Sequence, residues 1–320
     1  WVMIFSDIIR GILVILIPFT TGLYQIYIIM FLVSSVSRFF FPAYSSTVPN
    51  IVSKEQLLVA NSLSQTTFNI TLVIGPAAGA LLIGSMGYTA AFFVDGFTFF
   101  FSAFMILKIH LAEERKFVRG GIREVFVEMK EGFVLIRRTR PVLFVISIFS
   151  GIMFLIGGVN VLFLIFVRDI LGMEIVHLGV LSGSEGFGMI LGSLAVGFFG
   201  GKFQKRSLVL GGTVLVGIFL APFGANSHII VSYGLMCLIG ISVSALQIPA
   251  STLLQEVVPD DIRGRVFGVQ GTLIQTFTIL SIGWESVVAN VVGVQALIIM
   301  VGLLCAVIGI LGKFFPKFAS

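Results

Sequence analysis

The chain has 320 residues, of which 57% are hydrophobic and 11% are charged, and its mean hydropathy is +1.10. Average soluble domains carry about 25% charged residues. So few charges cannot cover the surface of a soluble protein of this size, which excludes a cytosolic enzyme, a nucleic-acid-binding module and a disordered chain. A surface that faces the lipid bilayer explains the composition, so we expect an all-α polytopic membrane protein.

Long uncharged stretches predict where the chain crosses the membrane. A helix needs about 20 mostly apolar residues to cross the hydrocarbon core. Turn residues, such as those at 84–87 and 224–227, divide the longest stretches in two. The pattern predicts ten transmembrane helices, at residues 2–20, 24–48, 57–83, 88–109, 141–167, 176–199, 207–224, 229–256, 266–286 and 291–313.

The positions of lysine and arginine predict the orientation of these helices. If the chain begins inside the cell and alternates, 17 of the 20 basic residues lie in inner loops, and Arg168 alone lies in an outer loop. Cytoplasmic loops are the ones enriched in Lys and Arg. We therefore expect both ends of the chain to be cytoplasmic.

Three short sequence motifs that occur twice indicate an internal repeat. Pro18-Phe19 recurs as Pro222-Phe223, Pro42-Ala43 as Pro249-Ala250, and the Leu-x-Ile-Gly stretch ending at Gly75 recurs in the one ending at Gly283. The offsets of 204 to 208 residues correspond to six helices, and an even number of crossings makes the repeats parallel. The pattern predicts a 6+6 helix bundle.

The repeat also predicts how the chain is divided. The second repeat starts at Pro141, so a complete first repeat needs two helices before Trp1, and the chain is expected to be a fragment that lacks them. We predict a truncated four-helix bundle at 1–109, a cytoplasmic linker at 110–140 and a six-helix bundle at 141–320. Within the linker, apolar residues at helical spacing fit an amphipathic helix on the membrane surface or a solvated linker helix: Ile122, Val125, Phe126, Met129, Phe133 and Ile136.

Charged residues inside the spans are the main candidates for function, because each costs about 2.5–3.5 kcal/mol at the centre of a membrane helix. Glu185 is expected near the midplane among small residues, as a site for a proton or cationic substrate or as half of a structural ion pair. Arg38 is expected to act on a neighbouring carboxylate. Asp7 and Arg10 are expected to pair, Asp95 to cap or pair, and Glu285 to reach the headgroups near the outer end.

Uncharged polar residues in the spans have two alternative roles. They join helices by hydrogen bonds, or they line a cavity; the candidates are Asn69, Asn160, Gln247 and Tyr44. Other chemistry finds no support in the sequence. The three histidines lie at loop edges without metal-ligand spacing, and no phosphate-binding loop is present, so we expect no metal and no cofactor. A membrane-embedded enzyme is the alternative of another class, and it would need clustered histidines or paired carboxylates.

Several stretches resemble the major facilitator superfamily, and within it the branch of macrolide-efflux-like and enterobactin-exporter-like proteins. They are Ser6 to Arg10, Phe41 to Ala43 with Ala60 to Leu63, Arg137 to Leu143, and Pro259 to Val266. The resemblance implies a monomeric secondary active transporter in the cell membrane of a prokaryote. It implies export of amphipathic small molecules, such as drugs, macrolides or siderophores, by alternating access and in exchange for protons. A lysolipid or another metabolite is the alternative substrate.

The resemblance also points to particular residues. Gly75, Pro76 and Gly79 resemble the Gly-Pro element of the antiporters, although Thr71 and Ala80 depart from it. Such an element allows helices to bend and pack closely, as do Gly84 and the small residues of residues 184–201. The loop with Lys202, Lys205 and Arg206 loosely matches the gating loop of the family, whose counterpart in the first half would precede Trp1.

Overall fold

The computed structural model describes residues 1–109, 133–173 and 176–315, and this part of the chain is helical without a strand. Its helices are α1 (Val2–Leu16), α2 (Leu23–Thr47), α3 (Leu57–Leu107), α4 (Arg140–Ile156), α5 (Val159–Ile165), α6 (Val176–Phe199), α7 (Lys205–Ala225), α8 (Ile229–Val257), α9 (Asp260–Val292) and α10 (Val294–Leu311). Ten segments of the described residues are long and apolar enough to cross a membrane, which confirms the predicted number of spans.

Glycine positions decide where the spans are divided, and here the predicted boundaries were partly wrong. Residues 84–86 remain helical, and Gly87 alone breaks α3 into two arms with φ 81° and ψ 169°. Gly293, with φ 85°, separates α9 from α10, so α9 runs beyond the predicted 266–286 at both ends. Only glycine adopts such positive φ values without strain. The predicted span 141–167 is interrupted at Gly157-Gly158, between α4 and α5.

The apolar core lies in the last six spans. One cluster of buried side chains includes Phe144, Val209 and Leu254. The other, toward the opposite ends of the same helices, includes Phe166 and Phe223. Ile136, from the end of the predicted linker, is buried in the first cluster, whereas residues 110–132 of that linker lie outside the described residues. The division into three domains stays a prediction.

Small residues bring α6 and α8 into backbone contact. A Cβ on Gly188 would lie 1.9 Å from the carbonyl oxygen of Cys237, and one on Gly240 would lie 2.1 Å from that of Glu185. Gly192 packs in the same way against Ile241. Lipid supplies no hydrophobic force between helices, so such close approach is what holds them together. The packing role expected for the small residues of α6 applies to these glycines.

The first four spans form a looser group in which α1 packs against α2 and the second arm of α3. Gly11 of α1 lies against Gly96 of α3. The predicted pair of Asp7 and Arg10 forms, and the Ser102 hydroxyl donates to the same carboxylate at 2.7 Å. The Arg10 guanidinium also lies over the ring of Phe40, with 4.8 Å to the ring centroid. The pair therefore joins α1 to both of its neighbours.

Alternating helix directions place most of the basic loops at one end of the bundle. We call this the basic end and define it by Lys54, Lys205, Arg206, Arg263 and Lys313. Arg206 donates to the carbonyl oxygens of Gly312 and Phe315 at 3.1 and 2.6 Å, which ties α7 to the end of α10. Lys205 pairs with Glu256 at 3.2 Å, which ties α7 to α8.

Candidate functional site

The first four spans and the last six meet at the basic end, where α2 and α3 contact α6, α8 and α9. A group of polar side chains crosses this contact. We call it the basic-end cluster, and its members are Ser45, Asn61, Ser62, Thr66, Ser193, Thr252, Gln255 and Arg263. All eight are buried.

Asn61 is the centre of the cluster on the side of the first four spans. Its Nδ2 donates to Thr252 Oγ1 at 3.0 Å and to Gln255 Oε1 at 2.5 Å, so one amide of α3 holds two side chains of α8. Gln255 in turn donates from Nε2 to the carbonyl oxygen of Ser45 at 3.1 Å. The end of α8 is thereby joined to both α2 and α3.

Arg263 extends the cluster to the start of α9. Its guanidinium donates to the carbonyl oxygen of Gln255 at 3.0 Å and to that of Ser46 at 3.4 Å, and it pairs with Asp260. Only 6% of Arg263 is exposed, so its charge is neutralised inside the contact and not by water. A buried arginine needs several such acceptors.

Two hydroxyls of α3 complete the cluster against α6. Ser62 donates to the carbonyl oxygen of Ser193, and Thr66 and Ser193 share a hydrogen bond of 2.6 Å between their hydroxyls. Gly197 makes the approach possible, since a Cβ there would lie 2.6 Å from Ser62 Oγ.

The contact between α3 and α6 ends beyond the middle of the first arm of α3. Gly186 still lies against Val73, but a Cβ on Gly75, Gly79 or Gly84 would meet no described atom within 4 Å. The expectation that Gly79 and Gly84 serve close packing is therefore wrong for the described residues, and the side chain of Pro76 lies outside them. The described contacts between the two groups of spans lie toward the basic end, and we call the space between the groups beyond Val73 the cleft.

Glu185 borders this cleft. On α6, Gly186 and Ser193 contact α3 while Gly188 and Gly192 contact α8, and Glu185 lies between these two faces. Its side chain is half-buried, and among the described residues no hydrogen bond or ion pair engages its carboxylate. The structural ion pair, one of the two roles predicted for Glu185, is therefore not formed among the described residues. A half-buried acid at a cleft can instead bind a proton or a cationic group.

A separate apolar groove of about 490 Å³ lies on the other side of α6 and is lined by residues including Gly183, Ser184 and Tyr233. Gly183 and Ser184, two of the small residues that precede Glu185, therefore open onto this groove. We do not place this groove in the candidate site, because it is turned away from the cleft.

The other candidates differ in how they relate to the cleft. Arg38 is exposed and lies two helical turns before Ser45 on the same face of α2. It therefore lies on the side of α2 that faces the boundary between the two groups of spans. No carboxylate pairs with it among the described residues. Gln247 is half-buried and lies two turns along α8 from Gly240, on the face toward α6. The side chain of Asn160 lies outside the described residues.

Of the two other uncharged candidates, Tyr44 joins two helices and Asn69 bonds within its own helix. Asn69 is fully buried and accepts a hydrogen bond from Gln65 of the same helix at 3.0 Å, while its own Nδ2 has no described partner. Tyr44 shares a hydrogen bond with Ser64, which connects α2 to α3, and its ring stacks on Phe40.

The remaining charges lie away from the cleft. Lys202 lies over the ring of Phe199, 5.7 Å from its centroid. Asp95 is exposed, and no ion pair involves it in the part of the chain that the structure describes. The expectation that Glu285 reaches the headgroups was wrong, because only 1% of this residue is exposed. The described residues also contain no group of three or more His, Cys, Asp or Glu side chains that could hold a metal ion.

The sequence analysis did not single out Asn61, Ser193 or Arg263 as functional residues. A usable signal was present, since Asn61 and Gln255 are polar residues near the ends of apolar spans, on the same predicted side of the membrane. Their partnership across 194 residues has no local signature, and only the packing of α3 on α8 reveals it.

The fold and the cleft define a class, the helical membrane transporters built of two packed groups of spans, and comparison with known proteins identifies the family. The profile of the Major Facilitator Superfamily matches residues 1–283 and, in a second match, 157–317. The chain therefore belongs to the Major Facilitator Superfamily, and it is a transporter with small-molecule substrates in a lipid bilayer.

The relatives and solved structures agree with this assignment. Macrolide efflux protein A of Streptococcus pyogenes is 24% identical over 91% of this chain and 74% of its own length. The putative bacilysin exporter BacE of Bacillus subtilis is 30% identical over 84% of this chain and 67% of its own. The crystal structure of the human organic anion transporter MFSD10 matches 97% of this chain and 76% of its own, with 13% identity and a TM-score of 0.81, and so shares the fold.

Proposed function

We propose that this transporter exports amphipathic small molecules by alternating access and in exchange for protons. The observation that carries the proposal is the asymmetry of the contact between the two groups of spans. They are joined by the basic-end cluster and separated beside Gly75 and Gly79. If the basic end is cytoplasmic, as the distribution of Lys and Arg predicts, this arrangement is the outward-facing one.

The chemistry of the basic-end cluster suits a contact that must open and close. Interhelical hydrogen bonds inside membranes contribute about 0.6 kcal/mol each, so a handful of them gives a contact that is stable but reversible. The described ion pair of Arg263 is with Asp260, and both residues lie on α9. Opening at the basic end therefore separates the hydrogen bonds of the cluster and leaves this pair on one helix.

Direction and substrate class rest on the relatives together with the cleft. Two relatives are named for the efflux of a macrolide and the export of bacilysin. An acid such as Glu185 in a chain with 57% hydrophobic residues suits an amphipathic substrate. Glu185 is the residue that we expect to exchange a proton, because no described cation neutralises it.

Accumulation of erythromycin in cells tests the proposal. Cells that express the protein should accumulate several-fold less radiolabelled erythromycin than control cells, and a proton uncoupler should abolish the difference. A difference that survives the uncoupler would contradict proton exchange. Unchanged accumulation of erythromycin and of a panel of lipophilic dyes would contradict drug export and favour a lysolipid or another metabolite as substrate.

A further inference from the structure

Two side chains of α9 form hydrogen bonds with the backbone at the break between α4 and α5. In an unbroken helix the Gly158 amide would donate to the carbonyl oxygen of Phe154. Here the Gly158 amide donates to Ser281 Oγ at 3.1 Å, and the Phe154 carbonyl oxygen accepts from Trp284 Nε1 at 2.7 Å. Both halves of the missing hydrogen bond are therefore satisfied by one face of α9, at positions i and i+3.

The next residue on that face is a buried acid. Glu285 is 1% exposed, and Ser281, having accepted from Gly158, donates its own hydroxyl proton to Glu285 Oε1 at 2.7 Å. The other carboxyl oxygen, Oε2, is buried and has no hydrogen-bond partner among the described residues. It lies against Gly158, where a Cβ would come within 2.7 Å of it. Only glycine at this position leaves room for the carboxyl group.

Among the described residues, the helices that pack around Glu285 bring no charged group to it. Between Pro141 and Ile165, α4 and α5 contain no titratable residue, and Cys305, buried in the same apolar cluster, is the one titratable residue within α10. On α9 the nearest charge is Arg265, about 30 Å away along the helix.

Helix α2 also packs on α9 and contacts it at Arg263. Away from this contact, the titratable residues of α2 are exposed: Tyr24, Tyr27 and Arg38. An ionised carboxylate without a cation costs several kcal/mol in such a place. A carboxyl group that carries a proton avoids this cost.

We propose that Glu285 is a proton-binding site of the transporter, occupied while α9 is packed on the α4–α5 break and emptied when the two separate. Broken helices concentrate conformational change, and separation at the break would expose the carboxyl group to water. A metal cation needs more oxygen ligands than the carboxylate and the Ser281 hydroxyl supply, so the ligand is a proton. Use of this proton in transport rests on the proposed function, whereas its binding does not.

Infrared difference spectroscopy on the purified protein tests proton binding directly. Raising the pH from about 5 to about 9, a range that brackets a buried carboxyl group, should remove a carbonyl-stretch band of a protonated carboxylic acid. In Glu285→Gln, whose amide keeps the shape and cannot ionise, that band should be missing at every pH. An unchanged band in Glu285→Gln would overturn the proposal.

Labelling of Cys305 tests whether proton release opens the break. In a Cys237→Ala background, N-ethylmaleimide should label Cys305 slowly at low pH. The ratio of the labelling rate of the parent to that of Glu285→Gln should be at least roughly tenfold higher at high pH than at low pH. Dividing by the rate of Glu285→Gln removes the intrinsic effect of pH on the thiol. Equal profiles in the two proteins would contradict the opening.

A pair of glycine variants keeps the proposal testable if Glu285→Gln does not fold. Gly158→Ala places a methyl group 2.7 Å from Oε2 and should leave Cys305 labelled rapidly at low and high pH. Gly151→Ala, within α4, places its methyl group 3.5 Å from Ile308 and should behave as the parent. A parent-like Gly158→Ala would count against the site. Titration of Glu285 without uncoupler-sensitive export would contradict the proposed function and leave the site intact.

Discussion

At the scale of single residues, two acids, Glu185 on α6 and Glu285 on α9, illustrate how position on a helix decides chemistry. Glu185 lies between two packed faces of α6 and borders the cleft, so a substrate or water can reach it. Glu285 faces the α4–α5 break and is closed off by Ser281 and Gly158. The sequence placed the first near the midplane and the second at the outer end. The structure leaves Glu185 half-buried and buries Glu285, because the rotation of a helix about its axis matters as much as depth.

Replacing Glu185 by Gln tests its proposed role in proton exchange. The amide keeps the shape of the side chain but cannot carry a proton in and out, so export driven by a pH gradient in proteoliposomes should fall at least roughly tenfold. Binding of the exported substrate should change little. Asp95→Asn is the matched control, because Asp95 is also an acid in a span but is exposed and outside the cleft. Full gradient-driven export by Glu185→Gln would remove the residue from this role.

At the scale of helices, the glycines of α6 serve two different contacts. Gly188 and Gly192 admit the backbone of α8, whereas Gly186 and Gly197 admit side chains of α3. The first contact lies within the last six spans, and the second crosses between the two groups of spans. One helix therefore carries a tight backbone contact on one face and a contact that can be released on another.

Substitutions on α6 distinguish these glycines from those in open space. Gly188→Ala places a methyl group 1.9 Å from the Cys237 carbonyl oxygen, so the two helices must move apart. Overpacking of this kind costs about 1–3 kcal/mol, and the Tm in detergent should fall by several degrees. Gly183→Ala, on the same helix, meets nothing within 4 Å and should keep the parent Tm. Equal Tm values for the two variants would show that the backbones are not in contact.

At the scale of the whole molecule, closure at one end is the property on which the proposed transport cycle depends. The basic-end cluster joins residues far apart in sequence, such as Ser62 and Ser193, and the opposite end has no comparable contact among the described residues near Gly75. A transporter that alternates must be able to break the first contact and form a second.

A disulfide across the cluster should arrest that motion. The hydroxyls of Thr66 and Ser193 are 2.6 Å apart, so cysteines at both positions, in a chain without Cys237 and Cys305, should cross-link on oxidation. Export should stop when the disulfide forms and return when it is reduced. The single variants Thr66→Cys and Ser193→Cys control for the substitutions. Undiminished export by the cross-linked protein would show that the basic end need not open.

Cysteine labelling in sealed cells tests the predicted orientation. Cysteines introduced at Gly121 and at Asn226 should react from opposite sides, because the first belongs to the stretch 108–140, which holds nine of the 20 basic residues, and the second to a loop without any. A membrane-impermeant maleimide should label the cysteine at Asn226 and spare the one at Gly121. Labelling of both from outside would refute the map of alternating spans.

The sequence by itself determined the number of spans, the all-helical class and the family resemblance. These properties depend on local sequence patterns, because a helix needs about 20 apolar residues to cross the hydrocarbon core, whatever its position in the chain. It also determined the pair of Asp7 and Arg10, because residues at i and i+3 meet on any helix. Turn residues placed the ends of the spans only approximately, as Gly87 and the Gly157-Gly158 break show.

Only the tertiary structure decided which polar residues act together. Asn61 meets Gln255 across 194 residues, and Gly158 meets Ser281 across 123, because helices from different parts of the chain pack side by side. Hydropathy records whether a residue can lie in a membrane but not which way its helix is turned. The exposure of Arg38, the burial of Glu285 and the closure at the basic end follow from that rotation and packing, since lipid, cleft and neighbouring helix compete for each face.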